Sequence, residues 1–159
     1  MRAPGCQRIM RYLAIDHGNK RTGLAICDAS ETIASPLAVI RGQTALLSKI
    51  VGAVETNGVE AIVIGLPLNM DGTEGQQSRV VRRFAESLKH HTVVPIHFQD
   101  ERLSSFGAKE KLASAELKAS QAIQRLDAVA AAEILEAFLQ QKRENKQHPS
   151  GGGSDLKAC

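Results

Sequence analysis

The sequence predicts a mixed α/β domain: element order βββαβαβα, and a mixed five-stranded sheet with helices on both faces. Three observations predict it. Two apolar runs, 11–16 and 22–28, are joined by a short polar turn bearing a glycine, the pattern of an antiparallel hairpin. The run Ala61 to Leu66 is continuously apolar, as a central strand covered on both sides requires. From residue 44 onward helical and strand periods alternate, so crossover helices separate the later strands.

Each element has its own signal. Residues 11–16 form the first strand, Gly18 to Arg21 the turn, and 22–28 the second strand. Residues 32–40 ("TIASPLAVI") suit a third strand, and Pro36, lacking an N–H, favours an edge or a bulge. Residues 44–57 follow a helical period through Leu46, Leu47, Ile50, Val51 and Val54, stopped by Asn57-Gly58. After the strand at 61–66, residues 74–90 read as a helix, with Thr73 as its N-cap and Gln76 three residues on. Residues 92–98 ("TVVPIHF") form the last strand, 105–113 begin a helix, and 121–143 form a long final helix. Residues 1–10 are expected to be a loose extension, 11–146 a single domain, and 147–159, with a proline and a glycine run, a flexible tail.

Composition narrows the classes. The 159 residues are enough for one domain with a real core. Hydrophobic (43%) and charged (23%) fractions are those of a soluble globular protein. No apolar run approaches the roughly 20 residues of a membrane span, and "MRAPGCQRIMR" lacks a secretory apolar region, so a cytoplasmic protein without a membrane partner is expected. Cys6, Cys27 and Cys159 are far apart and odd in number, which suggests neither a disulfide framework nor a zinc knuckle. Cys27 reads as a small core residue. A net charge of +3 is compatible with a polyanionic partner. One Tyr, four Phe and no Trp argue against gripping single strands mainly by base stacking.

Acids stand at the ends of elements. Asp16 finishes the first strand, at the carboxyl end where a mixed sheet opens its ligand crevice. In "FQDERLSS" strand residues give way to Asp100 and Glu101, then Arg102. Alternation puts the two acids on opposite faces, so one of them reaches a shared site. In "IQRLDAVAAAEILEAFLQQ", Asp127, Ala131, Ile134, Leu135 and Phe138 share one helix face, so Asp127 is a carboxylate on the core-facing stripe. Converging carboxylates repel unless a cation binds them, and hard oxygen ligands suit Mg²⁺ or Mn²⁺. Such ions activate water and stabilise the leaving oxygen in phosphodiester cleavage. The lack of paired His and Cys ligands argues against zinc.

Two further stretches bear on a polyanion. "GLPLNMDGTEG", Gly65 to Gly75, passes from a buried strand into a glycine-bearing turn that opens a helix, where backbone amides can hold phosphate, though it is no Walker A loop. Arg79, Arg82 and Arg83 share one side of that helix. Lys20, Arg21 and Arg102 lie beside the acids and are the better candidates for phosphate contacts.

The whole resembles the YqgF/RuvX family, Holliday junction resolvase-like proteins. The resemblance covers roughly residues 11–143 and rests on four motifs in order: "AIDHGNKRTGLAICD", "IVIGLPLNMDGTEG", "QDERLSS" and "LDAVAAAEILEAFL". It implies a ribonuclease H-like fold and a metal-binding, catalytic triad of Asp16, Glu101 and Asp127. It also implies nuclease chemistry tied to the 5′ end of 16S rRNA precursors, with branched DNA as the second substrate. A monomer or a homodimer is expected. The family's segment before the final Asp is often rich in Lys and Arg; here "LASAELKASQAIQRLD" offers only Lys118 and Arg125. Two other classes share features. An ATP-binding module of the actin and sugar-kinase type has the same element order but needs two such domains. A non-catalytic RNA-binding assembly factor would keep the fold without the chemistry.

Overall fold

Strand alternation sorts the first strand into two faces. In β1 (Tyr12–His17), Leu13 and Ile15 join one buried cluster while Tyr12 and Ala14 join another. The computed structural model describes residues 10–28, 30–103 and 119–147. β2 (Arg21–Cys27) and β3 (Ala34–Arg41) follow as antiparallel neighbours. β4 (Ala61–Leu66) pairs parallel with β1, and β5 (Ile96–Asp100) parallel with β4, giving the order β3-β2-β1-β4-β5. Among the described residues the helices are α1 (Leu46–Asn57), α2 (Gln76–Lys89) and α3 (Ala119–Gln147), with one 3-10 turn at Glu101–Leu103. The expected mixed five-stranded sheet is therefore present.

The two faces differ in side-chain size. Leu13, Ile15, Leu24, Ile62 and Ile64 meet Ile50 and Val54 of α1 and Val81 and Leu88 of α2. The His17 ring points the same way and stacks on Phe84, with centroids 4.0 Å apart. The opposite face is mostly small, with Ala14, Ala25, Cys27, Ala34 and Ala61 beside Tyr12 and Val63, against Ala131, Ala132, Ile134 and Leu135 of α3. Small residues on both partners let α3 lie close to the sheet. Its far end is tied down by Lys142, whose Nζ donates to Tyr12 Oη (2.8 Å) and Glu31 Oε1 (2.9 Å), and by a Tyr12–Phe138 edge contact. The α3 segment at Asp127 and Ala128 thereby falls over the carboxyl end of β1.

Several boundaries differ from expectation for local reasons. β3 starts at Ala34 rather than 32, because Asp28 accepts from the Thr32 and Ile33 amides and holds them in a loop. Its register jumps from Leu24–Ala38 to Ala25–Pro36, so Pro36 sits at a bulge of an edge strand. β5 starts at Ile96 rather than 92 and runs on to Asp100, opposite Leu66. Thr73 is not the cap of α2. Gly75 holds that position, while the Thr73 hydroxyl donates to Asp71 and accepts from Asn69 within a tight turn. Gly58 ends α1 in the left-handed region (φ +63°), as the Asn-Gly pair foretold. Cys27 is buried core. The extension before Met10, the helix expected over 105–113 and the tail beyond 147 lie outside the described residues. Among the described residues no helix is long and apolar enough to cross a membrane.

Candidate active site

Two glycines make the site possible. Asp16 on β1 stands opposite Gly23 on β2, on the α3 face. A Cβ on Gly23 would collide with the Asp127 carbonyl oxygen and lie 2.9 Å from the Ala128 nitrogen. The α3 backbone at Asp127 and Ala128 thus rests on that bare glycine, and Asp127 is set beside Asp16. On the other side of β1, β4 reaches Gly65 one step past the Ile15–Ile64 pair. A Cβ there would stand 2.6 Å from Glu101 Oε1 and 2.5 Å from Ile134 Cδ1. Glu101, opening the 3-10 turn after β5, uses that space to fold back over the sheet.

The carboxyls then interact. Glu101 and Asp16 share a hydrogen bond. Burial raises the Asp16 pKa, and the charge of Asp127 raises it further. Burial first, then the charge of Asp16 and the hydrogen bond to it, push Glu101 up to about 8. Glu101 is therefore the protonated partner, donating its O–H to the Asp16 carboxylate. Asp127 Oδ2 accepts from Arg21 Nε at 2.7 Å. Among the described residues no group of three His, Cys, Asp or Glu side chains is gathered closely enough to hold an ion. Two carboxyls form a pair, and the third is turned to an arginine.

The other expected residues take these places. Asp100, at the end of β5, faces Arg102, with the guanidinium 2.7 Å from its Oδ2. Its carboxyl is held below the usual range, first by that bond. Arg102 Nη1 also donates to the Met70 carbonyl (3.2 Å), fastening the loop after β4 beside Glu101. Lys20 is exposed in the turn between β1 and β2. Arg82 is paired to Glu74 and lies 5.0 Å from the Phe98 ring centroid, so it serves its own surface. The sequence reading did not single out Gly23 as a spacer. Its signal was a glycine inside a strand, which marks close backbone approach.

The shared proton has a measurable consequence. Between the ordinary glutamate value of 4.5 and about 8, the folded chain keeps a proton on Glu101 that the unfolded chain releases. The folded state binds more protons there, so this contribution to stability is full below 4.5 and is lost as pH rises through about 8. A tenfold difference in proton affinity between the two states is worth about 1.4 kcal/mol before solvent screening. Glu101→Gln cannot ionise and still donates to Asp16. Without divalent metal it is expected to be more stable than wild type at pH 8, by up to about 4 kcal/mol before screening, and equal to it near pH 4.5. Urea unfolding at the two pH values checks this.

Comparison with known proteins agrees with this architecture. Residues 10–141 match the family described as RuvX: Holliday junction resolvase. A protein of Anaeromyxobacter sp. named "Putative pre-16S rRNA nuclease" is 45% identical over 132 residues, covering 82% of this chain and 96% of its own. Proteins of the same name from Maridesulfovibrio salexigens (43%, 82% and 98% covered) and Chloroflexus aurantiacus (40%, 84% and 88% covered) are similar. Among solved structures, T. thermophilus RuvC in complex with a Holliday junction substrate superposes with a TM-score of 0.56 at 15% identity, covering 84% of this chain and 96% of that one. The Fowlpox virus resolvase with its junction DNA gives 0.54 at 8% identity, covering 84% and 99%. At such identities the likeness speaks for the fold, which is ribonuclease H-like. A match across the folded part and relatives at 40–45% identity over four-fifths of the chain make it a member of the RuvX family.

Proposed function

We propose that this protein is a divalent-metal-dependent endonuclease that processes the 5′ end of 16S rRNA precursors. The observation that carries the proposal is the Asp16–Glu101 carboxyl pair at the carboxyl end of β1, with the charge of Asp127 acting on it. The names of the relatives support the activity and the substrate.

The residues fit a hard cation. All the candidate donors are carboxylate oxygens, and two of them, buried side by side, share one proton rather than carry two charges. Mg²⁺ is commonly held by one or two carboxylates plus substrate phosphates rather than by a closed cage, so a formed three-acid cluster is not required. Asp16, Glu101 and Asp127 would hold Mg²⁺ or Mn²⁺. When bound, the metal supplies the positive charge that activates water and stabilises the leaving oxygen.

The chain's own groups do the rest. Glu101 releases the proton it shares with Asp16. Arg21 now neutralises Asp127 at 2.7 Å and is free to move to a phosphate once a cation takes that role. Arg102 is held rigid by Asp100 and Met70, so it offers a phosphate a preset guanidinium edge. Lys20 adds charge from the exposed turn.

The family's description favours a second reading, a resolvase of branched DNA. Incubating wild type in Mg²⁺ or Mn²⁺ with a labelled 16S precursor 5′ segment and with a four-way DNA junction separates the two. Cleavage of the RNA is expected. Cleavage of the junction alone would replace the first reading with the second, and cleavage of neither would favour a non-catalytic RNA-binding factor.

A further inference from the structure

Gln99 holds a polar atom that the fold leaves unused. Its side chain is buried (3% exposed), and its Nε2 has no hydrogen-bond partner among the described residues. A buried donor left unmatched is destabilising, so a well-packed strand would replace it with an apolar residue unless it served another state.

Its place shows which state. The β4–β5 register sets Gln99 directly opposite Gly65. Phe98 belongs with the apolar cluster on the α1–α2 face, so alternation puts Gln99 on the α3 face, where Gly65 also opens. Glu101 folds back over that same glycine, with Oε1 2.6 Å and Cγ 2.9 Å from where its Cβ would be. Neighbouring strands are about 4.8 Å apart, so the Gln99 side chain and the Glu101 carboxyl are neighbours above one bare position.

We propose that Gln99 is a positioning residue for Glu101: its Nε2 donates to the Glu101 carboxylate when that group turns from Asp16 to share a divalent cation with it. This rests on the reading of the acids as cation ligands. Ligating carboxylates are generally held by such an outer hydrogen bond, and its loss weakens metal binding by about 10–100-fold. Gln99 supplies that bond from within β5, a rigid element.

The test is calorimetric titration of Mn²⁺ into substrate-free wild type, Gln99→Met and Gln99→Leu, with thermal melts of each in chelator. Both variants are expected to melt at or above the wild-type temperature without metal, because the unmatched donor is gone, and to bind Mn²⁺ about 10-fold more weakly. Equal Mn²⁺ affinity in wild type and both variants would overturn the inference while leaving the acid site standing. Metal-free melts several degrees below wild type for both would also overturn it, since Gln99 would then be an ordinary packing residue. If wild type itself bound no Mn²⁺, the reading of the acids would fall, and this inference with it.

Discussion

Gly23→Ala is expected to lower the unfolding free energy by about 3 kcal/mol and to remove cleavage along with it. The single added carbon would collide with the carbonyl of Asp127, and the next atom it meets, the Ala128 nitrogen, is also backbone. No side chain can rotate away, so either α3 lifts from the sheet or β2 bends. Lifting α3 opens the small-residue layer formed by Ala14, Ala25 and Ala131 and carries Asp127 away from Asp16. For a domain of this size the loss corresponds to a melting temperature lower by roughly 10 °C. Gly52→Ala is the control, because a Cβ there meets nothing within 4 Å on α1 and helix propensity favours alanine by about 1 kcal/mol. A Gly23→Ala protein with a wild-type melt would show that α3 does not rest on this glycine.

Asp127→Asn is expected to do the reverse: little change in stability and a large loss of activity. The Arg21–Asp127 pair is partly open to solvent (36% and 24% exposed), where such pairs contribute about 0–1 kcal/mol. Removing the Asp127 charge also relieves Asp16, whose ionisation it opposes. In the proposed role of Asp127 as a cation ligand, its loss removes several kcal/mol of transition-state stabilisation, which corresponds to a rate loss on the order of 1000-fold. Single-turnover cleavage at saturating Mg²⁺, alongside a thermal melt, checks both halves. Full metal-dependent cleavage by Asp127→Asn would remove this residue from the site.

Much of this was legible in the residues, because the signals were local or periodic. The unbroken run at 61–66, the Asn57-Gly58 stop and the stripe through Ala131, Ile134 and Leu135 each follow from one element's own geometry. Thr73 misled because its hydroxyl had a nearer use, closing the turn with Asn69 and Asp71. The start of β5 misled because apolar Val93 and Val94 carry strand propensity, yet ladder pairing with β4 begins only at Ile96. At the site, Asp16 and Asp127 were readable from element ends and helix phase. The choice between Asp100 and Glu101 was not readable from the strand period, because the 3-10 turn breaks the alternation and sends Glu101 to Asp16 and Asp100 to Arg102. The Arg21–Asp127 pair spans 106 residues of sequence, and the unmatched Gln99 donor depends on everything packed around it. Neither leaves a trace in a single chain of letters.

The carboxyl pair at the end of β1 is the proposed place where phosphodiester bonds are cut. The measurement that tests it most directly is cleavage of the labelled 16S precursor segment by wild type and Asp16→Asn side by side, at saturating Mn²⁺. Cleavage by wild type with none by a folded Asp16→Asn is the predicted result. Equal cleavage by both would contradict the account and place the chemistry elsewhere on the molecule.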